Sequence, residues 1–150
     1  MQNGDRGATK RASLVLRAGS EAEVDVSSEE RLFAVRGAVQ ASANEADAIV
    51  SATEDLMREL LDRNALGADS MVSCLFTTTE DLDAEFPAVA ARRLGLDTVP
   101  LICAREIDVP GAMPRVIRTM VHYYAPVGHK PDHVYLGATQ ELRADLHAAQ

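Results

Sequence analysis

The chain has 150 residues, the size of one ordinary domain, because a single hydrophobic core organises about 100 to 200 residues. Hydrophobic residues make up 47% and charged residues 25%, which are globular proportions that exclude wholesale disorder, collagen and coiled coil, and no run approaches the roughly 18 apolar residues of a membrane span. A net charge of −8 argues against nucleic acid or an anionic membrane as partner, since both are bound through a Lys/Arg surface.

Residues 1–30 carry Gly4, Gly7 and Gly19 among scattered charges and bury too little apolar surface to offset their ordering entropy, so they read as a flexible extension. Lys10 and Arg11 precede an apolar stretch too short and broken for a secretory signal. The domain is expected over residues 31–150. It opens on a short strand, Leu32-Phe33-Ala34-Val35, ended by a turn at Arg36-Gly37. Asn44 then stands as a cap before a long helix with Glu45 and Asp47 in its first turn, where the macrodipole favours acids. Ala46, Ile49, Val50, Thr53, Met57, Leu60 and Leu61 recur at three- and four-residue steps, and Leu66-Gly67 supplies the stop.

Residues 71–77 and 98–104 are strand-like and expected to be central and buried on both faces, the second starting late because of Pro100. Between them Phe86-Pro87 opens a shorter helix through about Leu94. Pro110-Gly111 turns into a third helix over roughly 113–124, whose apolar face is Val116, Ile117, Met120, Val121 and Tyr124, and His133-Val134-Tyr135-Leu136 is a last strand. This alternation predicts an α/β or α+β domain around a mixed β-sheet packed with helices. Cys74 and Cys103 lie in apolar runs without metal-ligand spacing, which reads as buried reduced thiols in a cytoplasmic protein.

Four places stand out for chemistry. Cys103 to Gly111 is a strand running out into Arg105, Glu106 and Asp108 before a turn; it is either a solvated strand exit or the edge of a ligand site. Arg118 falls among the apolar positions of the expected third helix, so its guanidinium either pairs internally or points into a cavity. Arg36-Gly37 and the Phe86-Pro87-Ala88 segment with Arg92-Arg93 are weaker candidates, each also readable as ordinary surface or staple residues. Thirteen of the fifteen basic residues are Arg, the side chain that clamps carboxylates bidentately, so an acidic chain could still bind a small carboxylate at a focused Arg cluster. The four histidines show no metal spacing, and no serine sits in a GxSxG elbow.

Arg36-Gly37-Ala38, Thr79-Glu80-Asp81-Leu82 with Phe86-Pro87-Ala88, Val99-Pro100, Cys103, Glu106 with Asp108-Val109 and Gly111, Ile117-Arg118, and His133-Val134-Tyr135-Leu136 together resemble the AroH-type monofunctional chorismate mutases over about residues 31–145. The resemblance implies a pseudo-barrel homotrimer with active sites at subunit interfaces that rearranges chorismate to prephenate without a cofactor or metal, in Phe and Tyr synthesis. It implies that Arg118 donates to the ether oxygen and a substrate carboxylate. Arg36 pairs with a carboxylate, supported by Tyr135, and Glu106 accepts from the ring hydroxyl, with Cys103 against that hydroxyl. Leu101 and Ile102 join the binding residues; Phe86, Ala88 and Arg92 come from the neighbouring subunit, and Leu142 with Arg143 from a mobile segment beginning near residue 140. Val89 stands where the resemblance expects a basic residue, with Arg92, Arg93 or Arg105 available to replace it, and Ile102 where it expects a small polar one. Alternatives are a catalytically silent ligand-binding or regulatory trimer of the same fold and a trimeric deaminase-like enzyme.

Overall fold

A computed structural model describes residues 29–143; all but the last two residues of the expected extension lie outside the described residues. In chain order the elements are β1 (Glu30–Gln40), α1 (Ala46–Asn64), β2 (Met71–Thr78), α2 (Ala88–Arg93), β3 (Leu101–Arg105), β4 (Val116–Pro126) and β5 (Val134–Tyr135), with 3-10 turns at Ala68–Ser70 and Gly137–Arg143. The strands form one mixed sheet in the order β3-β2-β4-β1-β5. β4 runs antiparallel to β1 and β2, while β2 with β3 and β1 with β5 are parallel.

The helices cover one face of this sheet. α1 buries Ile49, Val50, Thr53, Leu56, Met57, Leu60 and Asn64, the helical spacing read from the sequence. Leu56, Met57 and Leu60 are fully enclosed, each contributing about 1.5 to 3 kcal/mol relative to exposure. They pack in one core with Phe33, Val35 and Val39 of β1, Cys74 and Phe76 of β2, and Ile117, Val121 and Tyr123 of β4. Gly37 lets α1 close on β1, because a Cβ there would stand 2.8 Å from Leu56 Cδ1 and 3.0 Å from the Val134 carbonyl oxygen.

Several expectations are corrected. Arg36-Gly37 is no turn: β1 continues through it to Gln40, since β4 pairs with it from Glu30 to Gln40 and leaves no reason to break. The helix expected over 113–124 is strand β4. Its apolar residues satisfy both a helical and a two-residue period, but Val116, Ile117, Thr119 and Val121 are β-branched, and neighbours on both edges saturate its backbone. Ile117, Thr119, Val121, Tyr123 and Ala125 are buried, alternating with Arg118, Met120, His122 and Tyr124. β2 is interior in the sheet as expected but not buried on both faces, since Val72 and Leu75 are exposed, and β3 is an edge strand with Ile102, Ala104 and Arg105 exposed, so Cys103 is only half-buried.

Asn44 does not cap α1. Its Oδ1 accepts the Asp83 and Ala84 N–H groups at 3.0 and 3.1 Å and its Nδ2 donates to Asp83 Oδ1 at 2.7 Å, clasping the loop that leads to Phe86. The stop of α1 is Ala65 in the left-handed conformation (φ 52°), ahead of Gly67.

Candidate active site

Register assembles the site on the helix-free face. Residues directly opposite across a ladder point to the same side, and Ala38 pairs with Tyr135 on one edge and with Arg118 on the other, while Thr77 pairs with both Arg118 and Ala104. Tyr135, Ala38, Arg118, Thr77 and Ala104 therefore form one row across the sheet. Arg36, Met120, Leu75 and Ile102 form the next.

Arg36, Leu75, Thr77, Arg118, Met120, Tyr135 and Arg143 line a cavity of about 320 Å³. Beside it Arg118 Nε donates to Glu106 Oε1 at 2.7 Å, and the Thr77 hydroxyl donates to the same oxygen at 2.8 Å, while Glu106 itself lines an adjoining cavity with Thr79, Asp81 and Asp108. Glu106 lies just past the end of β3, where its N–H bonds the Thr78 carbonyl, so the strand exit aims this carboxylate at β4. The Glu106 side chain is 18% exposed against 42% for Arg118; the carboxylate is the enclosed member and the guanidinium opens to the cavity.

On the far wall the Arg143 guanidinium carbon stands 5.6 Å from the centre of the Tyr135 ring, a cation–π distance, and Arg143 Nε is buried without a hydrogen-bond partner among the described residues. Three guanidiniums line this cavity, one of them paired to Glu106 alongside, and make it cationic within an acidic chain. Such a cluster can hold a small dianion, with donors left to answer charge that develops on it.

The other expected site residues lie elsewhere in the single chain. Phe86 and Cys103 line a separate cavity with Leu82, Pro87, Ala104 and Arg105, because Cys103 pairs with Phe76 and so faces the helix side. Ala88 is buried in α2 and Arg92 exposed on it. Leu101 is half-buried against the core, Ile102 is exposed on the helix-free face, and Leu142 is half-buried in the turn before Arg143. Sequence reasoning missed Thr77, Leu75, Met120 and His133, whose Nδ1 accepts the Arg36 N–H at 3.0 Å. Strand pairing reveals the first three, and the chain just before β5 reveals His133. Among the described residues no group of three His, Cys, Asp or Glu side chains is arranged to hold a metal ion, and no helix is long and apolar enough to cross a membrane.

The model of the family "Chorismate mutase type I" matches residues 32–146. The chain is 40% identical over 118 residues to the chorismate mutase AroH of Thermus thermophilus, covering 77% of this chain and 97% of that protein. It is 34% identical over 114 residues to the chorismate mutase AroH of Bacillus subtilis, covering 75% and 90%. Among solved structures, a chorismate mutase from Clostridium thermocellum superposes with a TM-score of 0.70 at 43% identity, over 73% of this chain and 98% of that one.

Proposed function

The chain belongs to the type I chorismate mutase family and is an isomerase of aromatic amino acid biosynthesis; we propose that it converts chorismate to prephenate in the cavity bounded by Arg36, Arg118, Tyr135 and Arg143. The observation that carries this placement is the Arg118 guanidinium, held by Glu106 at 2.7 Å, opening into a cavity lined by two further guanidiniums.

The reaction is intramolecular: a carbon–oxygen ether bond breaks as a carbon–carbon bond forms, and no group leaves or enters. The site has to hold the dianion in its compact shape and stabilise the separating charge. Glu106, held in turn by the Thr77 hydroxyl, fixes the Arg118 guanidinium before substrate arrives, so its terminal nitrogens meet the ether oxygen and a carboxylate without reorganisation. Arg36 and Tyr135 anchor a carboxylate, and Arg143 closes the outer wall with Leu142. Glu106, on the enclosed side, accepts from the ring hydroxyl and favours positive character on the ring.

Phe86, Ala88, Arg92 and Cys103 lie on the helix side of β3, so they reach this substrate only from a second copy, and the assembly is a homotrimer with interface sites. Support comes from the helix-free face, where Leu32, Leu75, Ile102, Met120 and Tyr124 are all exposed in the single chain, an apolar surface suited to burial between subunits. The two unpaired thiols accord with a cytoplasmic location.

Mixing the protein with chorismate and following its ultraviolet absorbance tests the function. Rapid loss is expected, and tight binding without loss would make the chain a silent binding protein. Sedimentation tests the trimer, and a monomer at micromolar concentration would refute it.

A further inference from the structure

We propose that His133 is a positioning residue for this cavity: its Nδ1 accepts the backbone N–H of Arg36 at 3.0 Å and so sets the strand position from which the Arg36 guanidinium reaches a substrate carboxylate. The proposal rests on reading the cavity as the chorismate site. β5 is two residues long and pairs only with Gly37 and Ala38. Arg36, one residue earlier in β1, lies beyond the end of that ladder, and the imidazole supplies the acceptor the ladder lacks. A side chain here does the work of a strand.

His133 is itself held from α1. The buried Asn64 side chain accepts the Asp132 N–H at 2.8 Å, donates to the Asp132 carbonyl at 2.9 Å, and donates to the Leu60 carbonyl at 2.9 Å. The last residue of α1 thus fixes the backbone before His133, and His133 fixes the backbone of Arg36. A displacement anywhere along this line moves the anchor for one end of the substrate.

Accepting at Nδ1 requires a neutral ring with its proton on Nε2. The charged groups around the ring are Arg36 from β1, Arg143 from the turn after β5 and Asp132 from its own loop. Arg63 of α1 and Glu141 line the same outer cavity of about 550 Å³. Partial desolvation of the ring, then the Arg36 and Arg143 guanidiniums, hold His133 below the ordinary value of 6.5, against an upward pull from Asp132. The neutral form therefore persists to lower pH than an ordinary histidine allows. Once the pH falls through the depressed value, a protonated Nδ1 faces the Arg36 N–H as donor against donor, and the anchor loosens.

The experiment measures kcat and KM for chorismate across pH in the wild type, His133→Ala, His133→Asn, Arg36→Ala and the double variant Arg36→Ala/His133→Ala. Asn places Oδ1 close to where Nδ1 sits and does not titrate. At neutral pH His133→Ala is expected to raise KM by about fivefold or more with kcat changed much less, as for loss of an anchoring contact, and His133→Asn to restore most of it. The acid rise in KM is expected in the wild type and absent in His133→Asn. In the Arg36→Ala background, removing His133 is expected to cost under about twofold, because two residues acting through one contact are non-additive. Additive losses, or an acid limb that survives in His133→Asn, would overturn the proposal. Should His133→Ala fail to fold, the Asn variant and the wild-type pH profile decide alone. If the wild type neither binds nor turns over chorismate, the functional reading has failed. The positioning is then read from the Arg36 amide resonance of nitrogen-15-labelled protein, which must shift with the His133 ring titration; an insensitive amide would refute it.

Discussion

Replacing Arg118 by citrulline removes one positive charge while keeping the planar side chain, its Nε–H and one terminal amide. In the structure that Nε–H already serves Glu106 Oε1 at 2.7 Å, and citrulline can still make that bond. With Arg118 42% and Glu106 18% exposed, the pair is screened, and losing its ionic component costs at most about 1 kcal/mol of stability, a drop in Tm of about 4 °C or less. Catalysis should suffer far more. The carboxylate, itself held by the Thr77 hydroxyl, pins the guanidinium, so it is a preorganised donor, and removing one such donor costs about 10² to 10³ in kcat, or about 2.7 to 4 kcal/mol of transition-state stabilisation. KM should rise less than about tenfold, because Arg36 and Arg143 still neutralise the ground-state dianion. Loss of chorismate absorbance under saturating and limiting substrate separates the two constants. A citrulline protein with normal kcat and only a raised KM would show Arg118 to be a substrate anchor and refute the electrostatic argument.

Glu106→Ala should fold and be severely impaired, while Asp108→Ala should lose less, since Glu106 holds Arg118 and Thr77 and Asp108 is exposed on the following loop; equal losses in kcat would contradict these roles. Gly37→Ala should lower stability by about 1 to 3 kcal/mol in a thermal melt, because the new methyl meets fully buried Leu56 and the β5 backbone and overpacking outweighs the gain in chain entropy. Burial pushes the Cys74 thiol up to about 11 despite its contact with the Thr119 hydroxyl, so timed alkylation at pH 8 with mass mapping should label the half-buried Cys103 first; prior labelling of Cys74 would refute this. Deleting residues 1–28 should leave turnover and oligomeric state unchanged in paired kinetic and sedimentation assays, since β1 begins at Glu30 and the family match at residue 32.

Local patterning determined α1 nearly to its ends, because Ile49, Val50, Thr53, Met57 and Leu60 recur with one helical period over many residues, and it located β2, α2 and the late start of β3 after Pro100. The resemblance to a family supplied the candidate site residues, and their types suit carboxylate binding. Local pattern failed where two periods coincide: Val116, Ile117, Met120, Val121 and Tyr124 fit a helix face as well as a strand flanked on both sides, and only pairing with β1 and β2 decides between them. Pairing also carries β1 through Arg36-Gly37 and leaves β3 at the edge. The functional row depends on the same non-local choice, since Ala38, Thr77, Arg118 and Tyr135 are far apart in the chain and meet only in the order β3-β2-β4-β1-β5. Residue types and periods are properties of short windows, whereas register is settled by which strands can bury α1 and saturate each other's backbones together, so the chemistry could be read along the chain but its geometry only from the folded sheet.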